Sequence, residues 1–334
     1  MHHDPFVRPT RRAMLAVAAA AMVPFSSVKA QDAAWPSRPV KVLLPSSPGA
    51  ASDVLARLLY DRVSKTLGQP IVIENRPGAS GTIATMAAIR SAPDGYTLLH
   101  SNASSTVMAE ALVPNLPFAT LRDLQPVALT AVGGVMLAVN PEVPARNLGE
   151  LVQLLSSQPD RYPSYASWAV GSNGHLTMEW LKQRTGIRIN HVPYRTMGTL
   201  LTDLSSGVLH VGWADIVSPM GLIQQGRLRP IAINGELRSP KLPDLPTMSE
   251  QGHPFPATGW QGLFAPKGTP GAIIERMHGE INKVLAMPEF QHAMREANVP
   301  PTPIWTRGQF EAMLAGDLKV WREIVVKGNI KLEG

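Results

Sequence analysis

Six short stretches of small and hydroxylated residues are the parts of this sequence best suited to chemistry. They are Pro45-Ser46-Ser47-Pro48-Gly49-Ala50-Ala51-Ser52-Asp53, Asn75-Arg76-Pro77-Gly78-Ala79-Ser80-Gly81, Ser101-Asn102-Ala103-Ser104-Ser105, Gly171-Ser172-Asn173-Gly174, Tyr194-Arg195-Thr196-Met197-Gly198 and Asp215-Ile216-Val217-Ser218-Pro219. Each lies where an apolar run gives way to a helical pattern. A helix start leaves its first N–H groups without intrahelical acceptors, and the helix dipole favours negative charge there. The chemistry this predicts is capture of a small anion, above all a carboxylate. Its donors would be the backbone around Ala50, Ala51, Ser52, Ser80 and Gly81 and the side chains of Ser101, Asn102, Ser104, Ser172, Asn173 and Thr196. Asp53 and Asp215 are candidates for a ligand amine or a bridging water. Each position has a plainer reading beside the ligand reading, because Ser, Asn and Asp are also the residues that cap helices. Trp168 and Trp213 are either cleft walls or core fillers.

Other chemistries lack their residues. There is no cysteine, which excludes disulfides, thiolate metal sites and a cysteine nucleophile. His175, His191 and His210 show no H-x-x-x-H or H-E-x-x-H spacing, so no metal site is expected. Gly171-Ser172-Asn173-Gly174 is not a G-x-S-x-G elbow, and no pair of catalytic carboxylates stands out. No cofactor is expected.

The elements that would position these loops read as alternating strands and helices. Val40–Leu44, Ile71–Glu74 and Tyr96–His100 read as strands. A one-faced helix over Asp53–Leu67 carries Val54, Leu55, Leu58, Leu59, Val63 and Leu67 as its apolar residues, with Ser52 or Asp53 as cap and Gly68 as its stop. Helices follow over Thr82–Arg90 and near Thr106–Leu112. Strand–loop–helix units in succession predict an α/β fold with a parallel sheet. Beyond two apolar runs around Gly133-Gly134 the pattern restarts. Strands are predicted at Tyr162–Ala169, Ile187–Val192, Leu209–Trp213 and Arg229–Ile233, with helices over Leu148–Leu155, Leu176–Arg184 and Thr199–Ser206. Lys241–Pro256 reads as a surface loop, Gly262–Ala265 as a returning strand, and Pro270–Ala286, Glu289–Ala297 and Arg307–Val326 as helices. The expected arrangement is two α/β lobes joined by a hinge near Ala131 and Trp260. Lobe one would be discontinuous, residues 31–131 plus 255–334, and lobe two would span 132–254.

Residues 1–30 are set apart. Arg8, Arg11 and Arg12 precede the uncharged apolar run Ala13–Val23, and Val28-Lys29-Ala30 ends on small residues. This is the pattern of a secretory signal cleaved near Ala30, and Arg11-Arg12 leaves both the general and the twin-arginine export routes open. Four of the 31 basic and one of the 25 acidic residues lie in this segment, so +3 of the net +6 leaves with it. The remaining weak, evenly spread charge excludes the clustered basic face that nucleic-acid binding needs.

The blocks resemble a known family. Pro48–Arg57 is similar to a P-G-G-x-[ST]-D-x-x-A-R motif. Glu74–Gly81, Ala92–Leu99, His191–Arg195, Leu242–Thr247 and Ala265–Pro270 follow in the order found in the substrate-binding receptors of tripartite tricarboxylate transporters, the Bug proteins. The resemblance covers nearly all of Trp35–Gly334. It implies a type II periplasmic binding protein fold (a Venus flytrap). It also implies a small organic acid or acidic amino acid held by loops of both lobes, and delivery to the membrane permease of a tripartite transporter. A monomer is expected. Ala50, Ala169 and Thr196 stand where the family often has glycine, and Trp168 is bulkier than the family pattern. All four lie in the ligand loops, which leaves the ligand's identity open. Two other readings remain: a ligand-presenting partner of a membrane kinase, and an exported enzyme on the same fold.

Overall fold

The computed structural model describes residues 1–2 and 35–330. The signal segment and its cleavage point lie outside the described residues. The chain divides into two units, Met1–Ser37 and Arg38–Gly334. The described residues of the first form no helix or strand.

Two five-stranded sheets organise the second unit. The first contains β1 (Val40–Leu44), β2 (Ile71–Asn75), β3 (Thr97–Asn102), β4 (Leu124–Val132) and, from far along the chain, a strand at Trp260–Pro266. β1 pairs in parallel with both β2 and β3. The late strand runs antiparallel between β3 and β4. The second sheet contains β5 (Met136–Val139), β6 (Ser164–Ser167), β7 (Asn190–Pro193), β8 (Val211–Ala214) and β9 (Arg229–Ile233); the late strand of the first sheet is then β10. Here β6 pairs in parallel with β7 and β8, and β5 runs antiparallel between β8 and β9. The strand orders, β2-β1-β3-β10-β4 and β7-β6-β8-β5-β9, therefore follow one plan. Parallel β-loop-α units put every helix start at the carboxyl edge of its sheet, where open α/β sheets bind ligands.

The helices form for ordinary reasons. In α1 (Ala51–Leu67) the residues Leu55, Leu59, Val63 and Leu67 bury one face, and Gly68 closes it in the left-handed region (φ 76°) with its N–H on the Ser64 carbonyl. Its N-cap is Ala50, with no side-chain cap. Neither Ser52 nor Asp53 caps it as expected; Asp53 stands in the first helical turn. α2 covers Thr82–Ile89, after a 3-10 turn at Ala79–Gly81. The third loop departs from expectation, for Ser104–Met108 forms a π turn that leads into the short helix α3 (Ala109–Leu112). In the second lobe α4 (Leu148–Ser157), α5 (Asn173–Thr185) and α6 (Met197–Ser206) follow β5, β6 and β7. α5 starts at Asn173 rather than at Leu176, because the Ser172 hydroxyl accepts the His175 N–H and caps it there.

The chain crosses between the sheets at 133–135 and again at 234–259. Backbone and side-chain hydrogen bonds tie the two crossings together. Trp260 stands opposite Val132 in the β10–β4 ladder, and the Gly133 N–H donates to the Gly259 carbonyl at 2.9 Å. The Asn234 side chain accepts the Val135 N–H at 2.7 Å, and the Asn234 N–H returns to the Val135 carbonyl at 3.1 Å. A Cβ at Gly259 would collide with the Gly133 carbonyl oxygen, so the approach requires glycine. The C-terminal helices α7 (Gly271–Ala286), α8 (Pro288–Glu296) and α9 (Arg307–Lys327) complete the unit. α9 packs on α3 and β4 and also on α5 of the other lobe, through buried Trp321 against Phe255 and Phe255 against Trp180. Among the described residues no helix is long and apolar enough to cross a membrane.

Candidate functional site

A cavity of about 990 Å³ opens between the two sheets, lined by loops from both lobes and by the crossing segments. A smaller hollow of about 330 Å³ lies between α5 and α9, away from every helix-start loop. The large cavity brings together Ala50, Ala51, Ser52, Ser80, Gly81, Asn102 and Ser104 from the first lobe, and Trp168, Ser172, Asn173, Thr196 and Asp215 from the second. Asp53 and Ser101 do not line it. Ser101 is buried inside β3, one residue before Asn102, and strand alternation sends neighbouring side chains to opposite faces. Trp213 is fully buried and belongs to the core.

Asp53 acts on the site from behind. Its Oδ2 accepts the Gly49 N–H at 2.8 Å and Arg57 Nε at 3.0 Å; its Oδ1 accepts Asn75 Nδ2 at 2.9 Å. Asn75 Nδ2 also donates to the Ser46 carbonyl at 2.9 Å, and Arg57 Nη2 donates to Asn75 Oδ1 at 2.9 Å. The carboxylate thereby ties the first loop to the second. Burial alone would raise its pKa, but the bonds from Arg57, Gly49 and Asn75 outweigh burial and lower it. Ala51 and Ser52 of the first turn of α1, where helix N–H groups lack intrahelical acceptors, line the cavity.

The second and third loops pack on each other. Gly78, Ala79, Ser80 and Gly81 all have left-handed φ, at 120°, 44°, 52° and 89°. A Cβ at Gly81 would collide with the Ser105 side chain, so that glycine allows the two loops to meet. Asn102 Oδ1 accepts the Ser105 N–H at 3.1 Å, which leaves its amide NH₂ as a donor at the cavity edge.

In the second lobe the loop 168–173 stands on a polar framework. Ser167 Oγ lies 2.9 Å from Ser172 Oγ and 2.7 Å from His191 Nε2. The Gly171 N–H donates to His175 Nδ1 at 2.9 Å, and the His175 and His191 rings stack at 3.9 Å, 8° from parallel. Burial pushes the two imidazoles down to about 4 and about 3, so both are neutral at physiological pH and neither lines the cavity. Asn173 Oδ1 accepts Asn234 Nδ2 at 2.6 Å and Thr177 Oγ1 at 3.1 Å. Its own NH₂ is thereby aimed as a donor where it borders the cavity. Thr196 caps α6 by accepting the Thr199 N–H at 3.2 Å. Asp215 accepts the N–H groups of Val217 and Ser218 at 2.8 and 2.7 Å and the Ser218 hydroxyl at 2.7 Å, which is a turn-capping role.

Sequence reasoning missed the supporting residues Arg57, Asn75, Ser167, His191 and Asn234. Asn75 and Asn234 meet partners 22 to 99 residues away and His191 bonds Ser167 24 residues back, so spacing carried no signal for them, whereas Arg57 lies one helical turn from Asp53 and Ser167 five residues from Ser172. It also left Arg195 out of the site set, although the family block ends on it; Arg195 and Asp215 are the charged side chains among the lining residues. The cavity is thus lined by amide and hydroxyl side chains on an apolar floor, and the Ser218 hydroxyl in that lining donates to Asp215, which the N–H groups of Val217 and Ser218 also hold. Among the described residues no three metal-ligating side chains cluster.

Comparisons with known proteins identify the family. The model of the family described as "Tripartite tricarboxylate transporter family receptor" matches residues 55–330. Protein BugT of Bordetella pertussis is 35% identical over 304 residues, covering 90% of this chain and 92% of BugT. The structure titled "R. palustris Rpa4515 with adipate" superposes with a TM-score of 0.78 at 29% identity, over 89% of this chain and 99% of that one. The malate-bound MatC of Rhodopseudomonas palustris gives 0.77 at 29% identity, over 87% and 100%. In sequence and fold, this chain belongs to the receptor family of the tripartite tricarboxylate transporters.

Proposed function

We propose that the protein is a periplasmic solute-binding receptor that captures a small carboxylate between its lobes and delivers it to the membrane permease of a tripartite transporter. The observation that carries this reading is the convergence of helix-start loops from both lobes on one cavity with a single exposed cation in its lining. Pre-aimed N–H dipoles in a partly dehydrated cleft stabilise an anion without reorganising, as helix N-termini do for carboxylates and phosphates generally. The adipate and malate held by the two neighbours named above support a carboxylate as the class of ligand.

In this reading the crossings at 133–135 and 234–259 are the hinge. The lobes divide close to residues 131 and 255, and closure brings Asn173 and Ser172 over an acid already seated at Ala51 and Ser52. The signal segment directs export and is removed near Ala30. We read the chain as a receptor rather than an enzyme, which its membership in a family of receptors supports. Isothermal titration against mono-, di- and tricarboxylates, aromatic acids and acidic amino acids tests the reading. At least one acid is expected to bind with a one-to-one isotherm, and silence from the whole panel would overturn it.

A further inference from the structure

Trp168 is the largest side chain among those the second lobe turns toward the cavity. Its place is built. A Cβ at residue 174 would lie 3.1 Å from Cζ3 of Trp168 and would collide with Trp213, so Gly174 is what lets the indole lie across the first turn of α5 above the buried Trp213. The next residue, Ala169, has φ 145°, a region that residues with a Cβ rarely adopt. Its carbonyl is held there by Ser167 Oγ at 3.2 Å and by the Ser172 N–H at 3.3 Å. Strain of this kind persists where the surroundings over-determine it, and it concentrates at ligand clamps. Here it sets the direction of Trp168. Met197, Leu201, Ile216 and Val217 of the same lobe and Leu55 of the other add apolar lining. The charged lining residues are Arg195 and Asp215, one of each sign. A first carboxylate is satisfied by the N–H donors. A second and third would enter a cavity with no net positive charge, and burying unpaired charge is costly.

We propose that Trp168 makes this cleft selective for a carboxylate with a flat, apolar body, an aromatic monocarboxylic acid, over di- and tricarboxylates. This rests on the carboxylate reading above. The acid group sits at the helix starts of the first lobe, and the ring lies against the indole, where offset or edge-on aromatic contact adds to apolar burial. Trp168 is a specificity residue in this scheme, and Ala169 positions it.

The test is titration calorimetry of the mature protein with benzoate, phenylacetate, succinate and citrate, repeated on Trp168→Ala and Trp168→Tyr. An aromatic acid is expected to bind at least about ten-fold more tightly than succinate or citrate. Trp168→Ala should weaken the aromatic acid by about ten-fold while changing succinate less than about two-fold, and Trp168→Tyr should restore most of the loss. Thermal melts of both variants check the fold. Tighter binding of succinate or citrate, or an equal loss for all acids in Trp168→Ala, overturns the proposal while leaving the carboxylate reading intact. Failure of every acid on the native protein overturns both.

Discussion

Asp317 offers a quantitative test of how the crossing is held. It is buried on α9, and its Oδ2 accepts the indole N–H of Trp260 at 2.8 Å. Trp260 begins β10 beside the hinge glycines and lines the cavity. Burial raises the Asp317 carboxyl from 3.8 to about 6, and the Trp260 bond only partly opposes the rise. The folded protein therefore holds a proton here that the unfolded chain gives up. This contribution to stability is complete below about pH 4 and is lost as pH rises through 6. A rise of about two pH units corresponds to about 3 kcal/mol. Asn at this position keeps an oxygen acceptor for Trp260 and cannot ionise. Asp317→Asn should therefore be more stable than the native protein at pH 8, and that advantage should shrink by about 3 kcal/mol on going to pH 4. In a protein of this size the change amounts to about 5 °C in melting temperature. The assay is paired urea or calorimetric unfolding of the two proteins at each pH. Only the difference between them is read, because groups common to both cancel. A difference that stays flat from pH 4 to 8 would mean that burial does not raise the Asp317 carboxyl.

Three further outcomes follow from other sites. His100 is wedged between Tyr60 Oη at 2.8 Å and Gln261 Oε1 at 2.9 Å and is depressed by burial to about 4, as His175 is; His191 falls to about 3. The unfolded chain takes up protons below pH 6.5 that the fold refuses, so these groups remove stability as pH falls from 6.5 toward 4. Imidazole nitrogen NMR should find all three neutral at pH 5.5, and a midpoint near 6.5 would contradict this. Asp53→Ala leaves Arg57, Asn75 and the Gly49 N–H without their shared acceptor. It should lower stability by about 2 kcal/mol, with a larger fractional loss of acid affinity than of fold, read by unfolding and calorimetry together. Gly259→Ala forces the two crossings apart at the Gly133 carbonyl and should cost about 1–3 kcal/mol, whereas Gly279→Ala, on α7 with open space around its Cα, should be neutral or stabilising by thermal melt.

Much of the fold was legible because local pattern and tertiary demand agree. The i, i+4 leucines of α1 and its closing Gly68 mark that helix without help from elsewhere, and the apolar run of β1 follows from burial of four of its five residues. Where polar residues fill a first turn, the apolar period starts late, which is why α5 was expected at Leu176 although the Ser172 cap starts it at Asn173. The π turn at Ser104–Met108 has no sequence mark of its own. In the cleft, the loops could be located from their helix starts, but the direction of each side chain could not. Asp53 and Asp215 read alike as caps or contacts. The structure commits the first to the Arg57–Asn75 lock behind the site and the second to a turn at its edge. Trp168 and Trp213 are the same residue type near the same strands; only packing around Gly174 decides that one reaches the cavity and the other fills the core. Asn234, which fixes both Asn173 and the Val135 crossing, meets partners 61 and 99 residues away.

The central claim is that backbone and amide N–H groups of facing helix starts hold the acid. Amide proton–nitrogen NMR of the protein, titrated with the tightest-binding carboxylate from the calorimetric panel, tests it most directly. Downfield shifts of the Ala51 and Ser52 amides, and of the Asn173 side-chain NH₂, are expected to saturate together at the calorimetric stoichiometry. Shifts confined to residues outside the cleft, with these resonances unmoved at saturation, would contradict it.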